Sequence, residues 1–115
     1  GWFRNPPRKP WALCVPYEMA GETKACYPDL IVFRKAKGQI VTDLLDPHDS
    51  GLPDAVDKAH GLAEYAKKHG DQFGRIELIT VVKGEIKRLK LTDERTSAEV
   101  LRARDKAYLD KLFAD

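Results

Sequence analysis

The sequence predicts an α/β fold, more closely an α+β domain in which helices cover a mixed sheet. Three observations predict it: several short apolar segments in the first half of the chain, one long segment of helical periodicity over 54–69, and a further apolar strand over 75–82. A helix between two strands is the usual connection between parallel neighbours. The expected order of elements is therefore βββ-α-ββ-α.

The first half of the chain predicts an extended lead-in followed by a three-stranded meander. Residues 1–10 are rich in Pro and Arg, which excludes a helix there. Strands are expected at about 11–18, 24–34 and 39–45, the first of them at an edge or with a bulge because it contains Pro16. Gly38 can supply the positive φ of a hairpin turn between the last two.

The second half predicts a helix, a hairpin and a final helix. Gly70 is expected to end the first helix as its C′ residue. A strand at 75–82, buried on both faces, turns at Lys83-Gly84-Glu85 into a short strand at about 87–91. A capping box at Thr96–Glu99 begins a last helix that runs to about Phe113. The apolar stripe of the first helix comprises Leu52, Ala55, Val56, Ala59, Leu62, Ala63 and Ala66.

Composition indicates one globular domain, 1–115. Apolar residues make up 43% of the 115 residues and charged residues 33%, and the net charge of +2 is too balanced to indicate nucleic-acid binding by itself. The sequence has no signal peptide and no apolar run near the ~18 residues of a membrane span, so we expect no membrane association. Cys14 and Cys26 are expected to be reduced thiols in a cytoplasmic protein. Because the sequence starts at Gly1 without Met, we expect a domain excised from a longer multidomain protein; its oligomeric state is left open.

Two aspartates interrupt apolar strands of the predicted meander. Asp29 opens the apolar run 30–33, and Asp43 lies inside the run 40–45. An ionised carboxylate facing a core is costly unless it is paired or binds a metal. We therefore expect Asp29 and Asp43 to point into one cleft and to hold a divalent cation between them.

Four motifs occur along the chain in this order: Trp2-Phe3-Arg4-Asn5-Pro6, Tyr27-Pro28-Asp29, Asp43-Leu44-Leu45-Asp46-Pro47-His48 and Lys58–Ala66. Together they resemble the C-terminal nuclease-like domain of Type III restriction-enzyme-like helicases, a branch of the PD-(D/E)XK superfamily. The resemblance implies a restriction-endonuclease-like core that hydrolyses DNA phosphodiester bonds with Mg²⁺ or Mn²⁺. It also implies a restriction or phage-defence protein whose helicase/ATPase domains are partners of this domain.

The resemblance also implies roles for individual residues. Asp29 matches the first catalytic acid and Asp43 the second, and both would bind the metal. The family's lysine normally stands two residues after the second acid, where this chain has Leu45. Lys58, on the shoulder of the apolar stripe, is the candidate replacement, and Glu18 is a candidate third acid.

Basic residues suggest where nucleic acid could bind. Arg4, Arg8 and Lys9 form a basic lead-in that could contact phosphates, and His48 could contact phosphate or metal. A solvated tail and an ordinary loop histidine are the alternatives. Asp46 is most simply a residue of the turn that ends its strand.

Structural alternatives also exist for the central acid and for the activity. Asp43 could form a salt bridge to Arg34 or Lys58 instead of binding a metal. Leu45 in the lysine position favours a second function, a catalytically inactive nuclease-fold domain that serves DNA binding or assembly. A protein-interaction domain without a nucleic-acid role is a third possibility.

Overall fold

The computed structural model describes residues 1–5, 13–49 and 51–115. Within these ranges the strands are β1 (Trp2–Arg4), β2 (Val15–Met19), β3 (Glu22–Cys26), β4 (Leu30–Ala36), β5 (Gln39–Pro47), β6 (Arg75–Val82) and β7 (Glu85–Lys90). The helices are α1 (Ala55–His69), a 3₁₀ turn (Gly70–Gln72), α2 (Glu94–Arg102) and α3 (Lys106–Asp110).

Five strands form one mixed sheet in the order β1-β4-β5-β6-β7. Strands β4 and β5 are antiparallel, paired from Leu30 opposite Leu45 to Ala36 opposite Gln39. Strands β5 and β6 are parallel neighbours, and α1 connects them. The predicted α/β class with a mixed sheet is therefore confirmed.

The apolar stripe of α1 covers one face of this sheet. Leu44 pairs with Ile31 on one side and with Ile76 on the other, and all three are buried in one core cluster with Leu62 and Ala63 of α1. We call the face that carries Leu44 the inner face and the opposite one the outer face. No helix in the described ranges is long and apolar enough to cross a membrane.

Strands β2 and β3 form a separate hairpin that lies against α1. The close approach is possible because α1 carries Gly61 at the crossing point. A Cβ at Gly61 would overlap the Tyr17 side chain and lie 2.9 Å from the Pro16 carbonyl oxygen. Both thiols on this hairpin and its flank, Cys14 and Cys26, are free.

The predicted strand 24–34 is wrong as a single element. Strand β3 ends at Cys26 and β4 begins at Leu30, and the two belong to different sheets. The buried Pro28 lies between them and has no amide hydrogen to donate to a ladder. The expected lead-in also contains an edge strand, β1, which pairs with β4.

The predicted last helix is also divided. Helix α2 begins one turn earlier than the predicted capping box, because Asp93 is its N-cap and accepts a 3.1 Å hydrogen bond from the Thr96 amide. The chain then leaves the helical conformation at Ala103, and α3 begins after a second cap, Asp105. Gly70 adopts a right-handed φ of −58° and begins the 3₁₀ turn, so it is not a left-handed C′ residue.

Candidate functional site

Asp29 and Asp46 meet at the end of the sheet where β4 begins and β5 ends. The Asp29 amide donates a 3.0 Å hydrogen bond to Oδ1 of Asp46. The antiparallel pairing of the two strands brings these two positions together. Arg4 of β1 reaches the same place and contacts both carboxylate oxygens of Asp29, at 3.0 and 3.1 Å. We call Asp29 and Asp46 the acid pair.

Burial raises the pKa of the Asp46 carboxyl to about 6. The neighbouring Asp29 carboxylate raises that pKa further, whereas the Asp29 amide, Lys58 and His48 lower it. A carboxyl in water ionises near pH 4, so the site disfavours a negative charge on Asp46 that no cation balances. A positive ion next to the acid pair would remove that penalty.

Asp43 does not join the acid pair. It precedes the inward-facing Leu44 in β5, so its side chain lies on the outer face, whereas Asp46 lies on the inner face. Its Oδ2 accepts a 2.7 Å hydrogen bond from Nε of Arg34, and the residue is 3% exposed. The expected convergence of Asp29 and Asp43 in one cleft is wrong. The salt bridge to Arg34, which the sequence left as an alternative, is the arrangement found.

Lys58 lies in the N-terminal half of α1, on the side of the acid pair. Its Nζ is 3.9 Å from Oδ2 of Asp54, and its side chain is 33% exposed. Its charge lowers the pKa values of both Asp46 and the buried Cys26. The structure therefore places Lys58 towards Asp46 and not, as expected, towards Asp43.

Asp54 is a site residue that the sequence analysis did not single out. The Tyr17 hydroxyl donates a 2.7 Å hydrogen bond to Oδ2 of Asp54, which lowers the pKa of Asp54. Burial, followed by this bond to Asp54, raises the pKa of Tyr17 to about 12. The spacing of Asp54 and Lys58 signals a helical i,i+4 pair, but the contact with Tyr17 arises only in the tertiary structure.

His48 stands two residues after Asp46 and is enclosed by the C-terminal part of the chain. Its Nε2 lies 2.9 Å from Oδ1 of Asp110 in α3, and its ring centroid is 4.9 Å from that of Phe113. Only 5% of its side chain is exposed. His48 is thus held by the C-terminal segment, and it is not an exposed loop histidine.

The remaining predicted site residues lie elsewhere. Glu18 accepts a 2.6 Å hydrogen bond from Thr23 across the β2–β3 hairpin. Since side chains alternate along a strand, Glu18 points away from the side on which Tyr17 reaches α1. Arg4 forms a salt bridge with Asp29, and Arg8 and Lys9 lie outside the described residues.

Comparison with known proteins identifies the family. The model of the YagJ family matches residues 1–115. The chain belongs to the YagJ family. A curated relative, Protein YagJ of Escherichia coli (strain K12), is 41% identical over 91 residues, which cover 78% of this chain and 37% of that protein. The chain thus spans little more than a third of the length of that YagJ relative, and no solved structure matches it.

The donor set of this YagJ-family chain fits a magnesium-type ion. Within the described ranges, no group of three or more His, Cys, Asp and Glu side chains is arranged to hold a metal. Mg²⁺, however, is commonly bound by one or two carboxylates and keeps several waters. The acid pair supplies two carboxylates, and burial raises the pKa of one of them, Asp46, although Lys58 and His48 lower it.

Proposed function

We propose that this domain hydrolyses DNA phosphodiester bonds with Mg²⁺ or Mn²⁺, on a restriction-endonuclease-like core. One observation carries the proposal: the acid pair lies where β4 begins and β5 ends, and Lys58, from the helix between parallel strands, acts electrostatically on the Asp46 carboxyl. The sequence resemblance to the nuclease-like domain of Type III restriction-enzyme-like helicases supports the same activity. The second acid of the proposed site is Asp46 and not Asp43.

Asp29 and Asp46 would hold the metal ion. When bound, such an ion makes a water a stronger nucleophile and neutralises charge on the phosphate. In the reaction a water oxygen bonds to phosphorus, the bond from phosphorus to one sugar oxygen breaks, and that oxygen takes up a proton. The Lys58 ammonium would orient the water or stabilise the negative charge that develops on the phosphate.

We further propose a setting for this activity. A cytoplasmic role in restriction or phage defence, with DNA as the substrate and helicase/ATPase domains of the parent protein as partners, follows from the sequence resemblance alone. The Escherichia coli relative extends well beyond the matched segment, which is 37% of its length. A further domain in the same polypeptide is compatible with that length.

A catalytically inactive domain that serves DNA binding or assembly is the second candidate. His48 favours it. In the nuclease-like domains that the sequence resembles, a lysine stands two residues after the second acid; with Asp46 as that acid, the position is taken by His48, which contacts Asp110 and Phe113. A histidine fixed in this way stabilises the fold and is not free to approach a phosphate. Under this alternative, Lys58 contributes only surface charge.

Plasmid cleavage separates the two candidates. Purified protein is incubated with supercoiled plasmid or linear duplex DNA in Mg²⁺, Mn²⁺ or EDTA. The nuclease proposal predicts cleavage that requires a divalent ion, is abolished in Asp46→Asn and is retained in the matched variant Asp43→Asn. Salt-dependent DNA binding without cleavage in either metal supports the inactive candidate. Absence of both binding and cleavage contradicts the nuclease proposal and leaves only the assembly role of the second candidate.

A further inference from the structure

We infer that Tyr17 and Asp54 are positioning residues that hold the Lys58 ammonium beside Asp46. The inference rests on the proposed function, because Lys58 is the cationic group of the proposed site. Neither residue is proposed to contact metal or DNA. Both act through Lys58, and together the three side chains form a chain of contacts from the β2–β3 hairpin to the Lys58 ammonium.

The first link joins Asp54 to Lys58. The two residues are four positions apart at the start of α1, and Nζ lies 3.9 Å from Oδ2. A lysine side chain has four rotatable bonds, so a partly exposed ammonium samples many positions unless a partner restricts it. Asp54 is the ion-pair partner that the structure gives Lys58. The carboxylate therefore limits where the ammonium can go.

The second link joins Tyr17 to the same oxygen of Asp54. The Tyr17 hydroxyl is 2.7 Å from Oδ2, and the tyrosine is 5% exposed. Its backbone and Cβ lie against Gly61 of α1, with no room for a larger residue there. A tyrosine packed in this way has one conformation available, so its hydroxyl is a fixed point for Asp54.

The orientation of the Asp54 side chain is a separate observation that supports its role in positioning Lys58. Asp54 occupies the N-cap position of α1 but makes no side-chain capping hydrogen bond. The corresponding residues of α2 and α3, Asp93 and Asp105, each accept a hydrogen bond from a backbone amide of their helix. A cap of this kind is worth about 1 kcal/mol. Asp54 lacks this capping bond, and its carboxylate contacts Tyr17 and Lys58 instead.

The third link runs from Lys58 to the acid pair. Cys26, buried at the end of β3, is under the electrostatic influence of Asp46, Lys58 and Asp54 together. All three charged groups are thus within electrostatic reach of one buried thiol. Lys58 acts on Asp46 as well. The ammonium that Asp54 restrains is therefore one that acts on the second acid of the proposed site.

Two variants and two matched controls test the inference by activity. Tyr17→Phe removes only the hydroxyl, and Asp54→Asn removes the charge. Tyr108→Phe removes a similar tyrosine–carboxylate bond, to Glu99 at 2.8 Å, and Asp57→Asn removes another acid in the first turn of α1. In plasmid cleavage at saturating Mn²⁺, we expect kcat of the two test variants to fall roughly tenfold to a hundredfold, as for misplaced catalytic groups. The Mn²⁺ concentration for half-maximal rate should not change, and both controls should match the wild type.

A second readout does not depend on cleavage. Reductive methylation with ¹³C labels every lysine without removing its charge, and Lys58→Arg assigns the Lys58 NMR signal. In metal-free protein we expect this signal to move towards those of the exposed Lys67 and Lys68 in both test variants and to stay in place in both controls. Thermal melts confirm that each variant is folded at the temperature of measurement.

The outcomes separate the inference from the function on which it rests. An unchanged Lys58 signal in both test variants overturns the positioning role, whatever the cleavage assay shows. A rise in kcat in Asp54→Asn also overturns it, because Asp54 would then withhold Lys58 from the site. If the wild type cleaves no DNA but the Lys58 signal moves, the proposed nuclease function fails and the contacts of Tyr17 and Asp54 with Lys58 stand.

Discussion

The backbone amide of Asp29 donates a 3.0 Å hydrogen bond to the Asp46 carboxylate, at the end of the sheet where β4 begins and β5 ends. This bond connects the loop that contains Pro28 to strand β5, which contains Asp46. Asp43, three residues earlier in β5, faces the other way and binds Arg34. Two aspartates of one strand thus lie on opposite faces of the sheet, as strand alternation requires for residues three positions apart.

Removing the Asp43 carboxylate is expected to weaken the fold and leave metal binding intact. Asp43→Ala deletes a buried charge-assisted hydrogen bond, but Arg34, with 36% of its side chain exposed, can turn towards water. The expected cost is on the order of 1–3 kcal/mol. If Asp43 were a metal ligand, as the sequence suggested, Asp43→Ala would instead lose metal binding.

Thermal melts with and without Mg²⁺ check this prediction. Mg²⁺ should raise the Tm of the wild type and of Asp43→Ala by similar amounts, and it should not change the Tm of Asp46→Ala. If Asp43→Ala lost the Mg²⁺ effect while Asp46→Ala kept it, Asp43 would be the ligand and the acid pair would be misassigned.

Lys58→Ala is expected to remove most cleavage without weakening metal binding. Loss of one electrostatic donor to a developing negative charge typically costs about 10²–10³ in rate. Lys58→Arg should restore only part of the rate, because a planar guanidinium occupies the space differently and does not deprotonate. The measurement is the single-turnover cleavage rate, with Lys68→Ala in the last turn of α1 as the control. A Lys58→Ala rate equal to that of the control would remove Lys58 from the proposed site.

The elements that were predictable from sequence are those whose signals are local. The periodicity of α1 and the apolar run of β6 need no distant partner, and both were found close to the expected bounds. The break between β3 and β4 was missed because their strand-like residues flank Tyr27-Pro28-Asp29, which belongs to neither sheet. Only the tertiary structure shows that β2 and β3 leave the main sheet to pack on α1.

The candidate site was predictable in its residue types but not in its pairing. Asp29 and Lys58 were identified from sequence; in the structure the Asp29 amide binds the Asp46 carboxylate, and the charge of Lys58 acts on it. The strand β5 carries an acid at 43 and another at 46, and the apolar residues around both allow either face to be the inner one. The inner face is decided by the contact of Leu44 with Ile31 and Ile76, which a single sequence does not reveal.

Gly61→Ala should destabilise the protein although alanine is the better helix former. Helix propensity alone predicts a gain of about 1 kcal/mol. The added methyl, however, would overlap Tyr17 and lie 2.9 Å from the Pro16 carbonyl oxygen, and overpacking of this kind costs about 1–3 kcal/mol. We therefore expect a net loss of stability in urea unfolding.

Gly70→Ala is the matched control for Gly61→Ala. Gly70 has a right-handed φ of −58°, and among the residues that the structure describes an added Cβ would meet only Thr92, at 3.7 Å. Its replacement should leave stability unchanged or raise it by up to about 1 kcal/mol. Equal changes in stability for the two substitutions would show that the β2–β3 hairpin leaves room for a methyl group at position 61.

The stability of the wild type should fall more steeply at alkaline pH than that of Tyr17→Phe. Burial, and after it the bond to Asp54, raises the pKa of Tyr17 to about 12, whereas an unfolded tyrosine ionises near 10. A raised folded-state pKa contributes stability that is complete below about pH 10 and is lost as the pH rises towards 12. Tyr17→Phe lacks this contribution, and lysine ionisation affects both proteins alike. Urea unfolding between pH 8 and about 11.5, with tyrosinate absorbance recorded in parallel, measures the difference. Parallel stability curves for the two proteins across this range would show that the Tyr17 hydroxyl is not held by Asp54 in solution.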